Sequence, residues 1–397
     1  MHAETGNRTL IRNSSADYRK ALDPSDVQML GPDAAGEVLD FLALRKDYAP
    51  TPLLSLSGLA RDLGVGGIHI KDEGKRLGLG SFKALGGAYA TIRLAVERAA
   101  QVLGRPVDLA QWRSPEVAKV AATMTVACAT DGNHGRSVAQ GAQLIGASCV
   151  IFVHEGVSQA RREAIARFGA RIVRVQGDYD DSVAEAARTA QVNGWTVVSD
   201  TSWPGYERIP RLVMQGYTAL LREALTQMPA LPTHVFVQSG VGGIAATVAA
   251  HFALVLGDQR PFLTVVDPSR AACLFESAKA GRAVKIAHGR PTVMAMLECH
   301  EPSLVAWGIL SRAADAFMTV EDEDAVAAMK QLAFPRGGDP AIVAGESGGV
   351  GLAALMKAAK DSSLREQIGL GAHARVFLIN TEGATDPKLY ETLIHAG

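Results

Sequence analysis

The sequence GLGSFKALGG, residues 78–87, is the stretch from which the fold and chemistry of this chain can be worked out. Lys83 stands in it between small and apolar residues, at the start of a helix-like segment. A lysine held away from water in such a place is a nucleophile toward an aldehyde. The alternative is an ordinary surface lysine whose apolar stem is covered while its amine stays in water, which is the commoner situation for an isolated lysine.

A second polar cluster, TDGNHG at residues 130–135, follows the strand-like segment 120–129 and precedes a helical segment. Loops at the carboxyl ends of parallel strands collect ligands, and a helix N-terminus offers N–H groups to an anion. We therefore expect Thr130, Asn133 and His134 to contact a substrate or a cofactor. Taken alone, the cluster is better explained as an N-capping turn.

A third cluster, GVGG at residues 240–243, lies between a strand-like segment and an Ala-rich helix. Its backbone can approach a phosphate closely, and the helix start favours the negative charge. Gly240, Gly242 and Ala245 also satisfy the dinucleotide-binding pattern G-x-G-x-x-A, with Asp267 placed as a ribose-binding acid. A nicotinamide-dependent oxidoreductase is therefore a competing hypothesis, although it leaves Lys83 unexplained.

The fourth cluster, NTEGATD at residues 380–386, follows the strand-like segment 375–379 near the C-terminus. A hydroxyl at such a strand end can hydrogen-bond a heterocyclic nitrogen without fully protonating it. As an unaided observation the cluster is simply a loop. Its interpretation depends on the other three clusters.

The composition excludes several classes of protein. The 40 basic and 41 acidic residues give a net charge of −1, so no electrostatic surface for nucleic acid or an anionic membrane is expected. The longest weakly polar run, residues 244–256, is too short to span a bilayer. Four scattered cysteines show no metal-ligand spacing, although a Cys273–Cys299 disulfide stays open. A cytoplasmic enzyme acting on small molecules, without a metal, is the expectation.

Short strand-like runs alternate with longer helix-like segments throughout the chain. The strand-like runs are residues 120–129, 147–152, 171–175, 196–198, 234–238, 262–266 and 375–379; the helix-like segments are 137–145, 159–168, 182–193 and 245–256. This alternation predicts an α/β fold with parallel sheets flanked by helices. The chain should be compact from about Tyr48 onward, and residues 146–175 look like one crossover unit of a smaller inserted domain.

Together, and in this order, the four clusters resemble the fold-type-II family of pyridoxal-phosphate enzymes, which has the tryptophan synthase β-like fold. Within it the chain is most similar to the diaminopropionate ammonia-lyase subgroup. The matching stretches are 78–83, 129–135, 200–203, 205–206, 214–217, 238–242, 345–348 and 381–386. The resemblance covers nearly everything after about residue 40. It implies a large cofactor-binding domain, residues 1–84 and 205–397, and a small α/β domain, residues 85–204.

The resemblance also implies roles for individual residues. Lys83 would hold the cofactor covalently, and the cofactor's other contacts would come from Asn133 at the ring hydroxyl, Gly240, Val241, Gly242 and Gly243 at the phosphate, Thr381 at the pyridine nitrogen, and Glu346 near the ring. Thr130, Asp131, His134 and Asp200 would bind substrate. A carboxylate at Asp131, where related dehydratases generally have a small or hydroxyl residue, favours a substrate with an extra amine.

The expected reaction is elimination of ammonia from 2,3-diaminopropionate, which yields pyruvate and a second ammonia. Lys83 and Asp131 would act as bases on opposite faces of the substrate, so both enantiomers could react. A serine or threonine dehydratase of the same fold is the nearest alternative. The family further implies a homodimer, while substrate breadth and any monovalent-cation requirement stay open.

Overall fold

The structure, a computed structural model, describes residues 9–130 and 132–396. Its strands are β1 Leu10–Arg12, β2 Leu53–Ser55, β3 Gly67–Asp72, β4 Thr125–Ala129, β5 Ser148–His154, β6 Arg171–Val175, β7 Thr196–Val197, β8 His234–Gln238, β9 Phe262–Pro268, β10 Ala316–Val320 and β11 Arg375–Asn380.

The helices share a pattern of small and apolar residues on the buried face. They are α1 Pro24–Leu30, α2 Pro32–Ala43, α3 Ser57–Asp62, α4 Lys83–Leu103, α5 Pro115–Ala121, α6 Asn133–Ile145, α7 Gln159–Ala166, α8 Tyr179–Asn193, α9 Arg208–Gln227, α10 Gly243–Leu256, α11 Cys273–Ala280, α12 Leu304–Ala313, α13 Asp322–Ala333, α14 Val350–Lys360, α15 Ser362–Ile368 and α16 Pro387–His395.

The chain divides into two compact units. The large unit comprises Met1–Pro32, Thr51–Gly74 and Leu220–Gly397; the small unit comprises Asp33–Pro50 and Lys75–Ala219. The boundaries expected at 84/85 and 204/205 both fall inside the small unit. Helix α2 also belongs to the small unit, because Phe41 packs edge-on against Tyr89 of α4 and against Trp112. The expectation of compactness only from Tyr48 onward is therefore wrong.

The large unit is built on a sheet with the strand order β1-β10-β9-β8-β11-β3-β2. Its central strands are parallel, and only the edge strands β1 and β2 pair antiparallel. Strand β11 lies between β8 and β3, with Val376 opposite His234 and Asn380 opposite Asp72. The carboxyl ends of β8 and β11 therefore lie side by side, and so do the two loops that follow them.

The small unit is built on a parallel sheet with the order β6-β5-β4-β7. Buried side chains of β4, β5 and α8 form its core. The predicted strand 120–129 is too long, since β4 begins only at Thr125. Residues 115–121 form α5 instead, because Ser114 caps that helix through the Val117 N–H and Pro115 suits its first turn.

Glycines bring the helices of the small unit close together. A Cβ atom added at Gly141 of α6 would lie 2.7 Å from the Cα atom of Ala88 in α4. One added at Gly86 of α4 would overlap the ring of Tyr217 in α9. Since both contacts lie within two turns of Lys83, the start of α4 is held between two neighbouring helices. The predicted α/β fold with parallel, helix-flanked sheets is confirmed.

Candidate active site

Lys83 is the first residue of α4, and the loop before it turns through left-handed glycines at Gly78 and Gly80. Its Nζ forms an ion pair with the carboxylate of Asp200. The Lys83 side chain is 25% exposed and that of Asp200 is 10% exposed. The lysine predicted from sequence is thus a partly covered amine with a specific anionic partner, and not an ordinary surface lysine.

The electrostatics around Asp200 favour its charged form. Burial opposes ionisation of Asp200, but the ammonium of Lys83, and His134 at the low pH at which its ring is protonated, outweigh it and lower the pKa of the carboxyl below its usual range. A carboxylate in this state is a charge partner and not a proton acceptor at neutral pH. The ion pair therefore keeps the Lys83 ammonium next to an Asp200 carboxylate that is charged at neutral pH.

His134 lies beside this pair. Its Nε2 is 2.8 Å from the carbonyl oxygen of Val198, and its Nδ1 is 3.9 Å from an Asp200 carboxylate oxygen. Because a carbonyl only accepts, Nε2 carries the proton and Nδ1 presents its lone pair toward the carboxylate side. Burial lowers the pKa of His134, so the ring is neutral at pH 7. The structure thus brings together Lys83, His134 and Asp200.

The backbone that leads to Asp200 is held by a tyrosine that sequence reasoning did not single out. The hydroxyl of Tyr206 accepts a hydrogen bond from the Ser199 N–H at 3.0 Å and donates one to the Val197 carbonyl at 2.8 Å. Its ring stacks on Trp203 at a centroid distance of 4.2 Å. Tyr206 thus fixes the strand end from which Asp200 projects. The only sequence signal for it was its place in the Gly205-Tyr206 stretch.

The loop before α6 uses its threonine to shape the backbone. The Thr130 hydroxyl oxygen accepts hydrogen bonds from the Gly132 and Gly135 N–H groups at 3.0 and 3.1 Å. Thr130 lies two residues before the N-cap Gly132, so its hydroxyl stabilises the turn into α6 although the N-cap residue itself has no side chain. Asn133 is buried at the first position of α6. The predicted base Asp131 lies outside the described residues.

In the large unit, the glycine loop joins β8 to α10. Gly242 has a φ of 109°, and no side chain caps the first turn of α10, whose N–H groups lack intrahelical partners. A Cβ atom added at Gly240 would lie 2.9 Å from the Cys299 sulfur, so the loop packs this closely against Cys299 only because residue 240 is glycine. The buried Ser239 hydroxyl has no hydrogen-bond partner among the described residues. These features fit a phosphate group.

The loops after β8 and β11 carry the remaining predicted cofactor contacts. Thr381 is buried directly after β11, and Glu346 is buried in the loop 345–348. The Gly345 N–H donates to the Glu382 carbonyl at 3.1 Å, which joins this loop to the Thr381 loop. Gln238, which sequence reasoning did not assign a role, lies fully buried beside both loops. A buried, hydroxyl-bearing loop of this kind fits the ring of a heterocyclic cofactor.

Asp267 does not fit a ribose-binding role. One of its carboxylate oxygens accepts from the Leu274 and Phe275 N–H groups at 3.0 and 2.9 Å, at the start of α11. The residue is buried, and this burial raises its pKa to about 8. The side chain therefore caps the local helix, which removes one of the two observations that supported a dinucleotide enzyme.

Other expectations concern the described residues as a whole. All four cysteines lie in this part of the chain, and no disulfide joins Cys273 to Cys299. Within residues 9–130 and 132–396, no cluster of three or more potential ligand side chains is arranged to hold a metal ion. None of the helices described has the length and apolar character needed to cross a membrane.

Comparison with known proteins gives consistent matches. The family model "Pyridoxal-phosphate dependent enzyme" matches residues 44–382. The diaminopropionate ammonia-lyase of Escherichia coli strain K12 is 40% identical over 356 residues, which cover 88% of each chain. Crystal structures of the E. coli enzyme in complex with an aminoacrylate-PLP azomethine reaction intermediate, and with D-serine, align with a TM-score of 0.86 at 36% identity. They cover 97% of this chain and 96% of theirs.

Replacing Tyr206 by phenylalanine tests the anchoring of Asp200. We expect the free energy of unfolding to fall by about 2 kcal/mol, because a buried N–H and a carbonyl lose their partner. Chemical denaturation measures this change. Tyr89→Phe is the matched control, since its buried hydroxyl has no hydrogen-bond partner in the described structure. If Y206F were as stable as Y89F, the anchoring role would be contradicted.

Proposed function

The chain belongs to the pyridoxal-phosphate dependent enzymes, in the diaminopropionate ammonia-lyase family, and on this premise we propose that it eliminates ammonia from 2,3-diaminopropionate. The observation that carries the proposal is the ion pair between Lys83 and the largely buried Asp200. A carboxylate kept charged at that place suits a substrate with a second amine. One water is consumed, and the products are pyruvate and two molecules of ammonia.

Pyridoxal phosphate is the cofactor, and its proposed contacts follow the residues that fit it. Lys83 would bind its aldehyde carbon, the backbone of residues 240–243 would bind its phosphate, and Thr381 would hydrogen-bond its ring nitrogen. Asn133 and Glu346 complete the ring environment. When bound, the cofactor withdraws electrons from the substrate's α-carbon, which makes the α-proton acidic.

Asp200 changes its partner during the reaction. Once the Lys83 amine is used to bind the cofactor, it no longer supplies an ammonium to the carboxylate. A buried anion without a cation is costly, so Asp200 then favours a substrate that brings a positive charge. The ammonium of diaminopropionate satisfies this need, and His134, held neutral, adds no competing charge. Asp200 is therefore proposed as the carboxylate that binds a substrate amine, in particular that of the D enantiomer.

Removal of the α-proton is assigned to two bases, one for each enantiomer. In L and D substrates the α-proton points toward opposite faces of the reacting group, so one base cannot reach both. Lys83 is proposed for one face and Asp131 for the other. Thr130 accepts hydrogen bonds from the Gly132 and Gly135 N–H groups, which stabilises the turn into α6.

Cleavage of the bond between the β-carbon and its nitrogen completes the elimination. The electron pair leaves with the nitrogen, which takes up a proton and departs as ammonia. The amine of Lys83 would then be available to release the remaining product, 2-aminoacrylate. Water adds to this product in solution and releases pyruvate with the second ammonia.

A serine dehydratase activity of the same site is the second candidate, because the related E. coli enzyme binds D-serine in a crystal. Serine lacks the second amine, so it would leave the Asp200 carboxylate without a cation. We propose serine as a poorer substrate. We also propose that the chain acts in the cytoplasm as a homodimer in amino-acid breakdown, since two-fold dimers are the commonest soluble oligomers.

A substrate panel tests the activity directly. Purified protein with pyridoxal phosphate should form pyruvate and ammonia in a one-to-two ratio from diaminopropionate, faster than pyruvate from serine or threonine. Lys83→Ala should lose the absorbance of the lysine-bound cofactor and form no pyruvate. Coupled assays for pyruvate and ammonia measure both products. Faster turnover of serine than of the diamine would contradict the proposal.

Asp200→Asn tests the exchange of charge partners. We expect the KM for diaminopropionate to rise about 10- to 100-fold, because truncating one partner of a buried hydrogen-bonded charge pair costs at least about 2 kcal/mol. Serine, assayed with the same variant, is the internal control and should lose much less kcat/KM. Equal losses for both substrates would mean that Asp200 serves only Lys83.

Asp131→Asn tests the division between the two bases. Turnover of one enantiomer of diaminopropionate should fall by about 10²- to 10⁴-fold, the usual contribution of a positioned general base, while the other enantiomer keeps most of its rate. Initial rates on the pure L and D compounds give the comparison. Equal losses on both would refute separate bases.

A further inference from the structure

Gln238 is the centre of a buried hydrogen-bond network in the large unit. It is the last residue of β8 and is fully buried. Its side-chain nitrogen lies near four oxygens: the carbonyls of Ser347 at 3.3 Å, Gly348 at 2.5 Å and Ile379 at 3.1 Å, and the Thr381 hydroxyl at 3.0 Å. One side chain thus joins the 345–348 loop to the end of β11.

The orientation of this amide is forced by its partners. Its Oε1 accepts from the Gly351 N–H at 3.2 Å, and a backbone N–H can only donate. On the other side the three carbonyls can only accept. Turning the amide over would place oxygen against oxygen and nitrogen against nitrogen. The Gln238 nitrogen therefore has to face the Thr381 hydroxyl as a donor.

The orientation of the Gln238 amide determines where the Thr381 hydroxyl can donate its proton. Its oxygen accepts from Gln238, so its own proton points elsewhere. Within the described residues, the acceptor for that proton is the Ser347 carbonyl at 3.4 Å, which is long for an O–H···O hydrogen bond. That carbonyl also lies near the Gln238 nitrogen. The Thr381 proton is weakly held and available to a better acceptor.

We infer that Gln238 is a positioning residue that fixes the Thr381 hydroxyl as a hydrogen-bond donor toward the ring nitrogen of the cofactor. The inference rests on the proposed function, in which Thr381 faces that nitrogen. A nitrogen that accepts this bond carries no proton of its own. Since hydrogen bonds to the ring nitrogen tune the cofactor's electron withdrawal, Gln238 acts on the chemistry through Thr381 without touching the cofactor.

The test is the ¹⁵N resonance of pyridoxal phosphate labelled at the ring nitrogen and bound to the full chain. In the wild-type protein it should lie at the position of an unprotonated, hydrogen-bonded pyridine. In Gln238→Glu the group facing Thr381 is an oxygen, to which the threonine can donate. Its lone pair then faces the ring, and the resonance should shift toward that of a pyridinium. Gln238→Met, which also removes the donor, should shift it in the same direction.

Gln140→Glu is the matched control, because Gln140 is another buried glutamine and its side-chain oxygen already accepts from the Arg45 guanidinium. Its resonance should equal that of the wild type, as should that of Thr381→Ser, which keeps the hydroxyl. An unchanged resonance in both Gln238 variants with cofactor bound would overturn the inference. A protonated ring nitrogen in the wild type would overturn it as well, whether or not the variants fold.

The two proposals fail in different ways. If the wild-type protein shows no absorbance of a lysine-bound cofactor and makes no pyruvate, the proposed function is wrong. If it binds the cofactor and makes pyruvate while the Gln238 variants leave the resonance in place, only the role of Gln238 is wrong.

Discussion

The partly buried ion pair between Lys83 and Asp200 is the constraint on which the site depends. A carboxylate that is largely removed from water requires a cation beside it, and here the cation is the amine that does the chemistry. The surrounding structure serves this pair. Glycine-mediated helix contacts hold the start of α4, Tyr206 fixes the backbone before Asp200, and His134 lies beside the carboxylate without a charge.

In the large unit, the corresponding buried polar groups are neutral. Three carbonyls and a hydroxyl are buried where β8 and β11 end, and the side-chain nitrogen of Gln238, which carries two N–H donors, lies within 3.3 Å of all four. Buried polar networks of this type stabilise a structure only when their members are paired, and they then permit one arrangement of the loops. The glycine loop 240–243 also follows β8, so the segment proposed to bind phosphate begins next to Gln238, which contacts the loops proposed to bind the ring.

Sequence patterns predicted those helices and strands that depend mainly on the conformational preferences of neighbouring residues. Apolar runs and glycine clusters gave β6 and β8 correctly, and the order of the four clusters identified the family. They could not reveal features that depend on distant contacts. Phe41 joins α2 to the small unit through Tyr89, Asp267 turns toward its own helix, and Gln238 and Tyr206 gain their roles only when separate segments meet. The predicted start of β4 at residue 120 was wrong because Ser114 caps a short helix, α5, that occupies residues 115–121.

The position of β11 has a consequence for how the chain is made. This strand pairs with β3, so residues 375–380 complete a sheet begun at residues 67–72. During synthesis, β3 leaves the ribosome some 300 residues before its neighbour exists, and β8 also waits for the same strand. Unpaired strand edges recruit other chains, and long-range pairing is slow. The edges of β3 and β8 that face β11 therefore stay unpaired until residues 375–380 have been made.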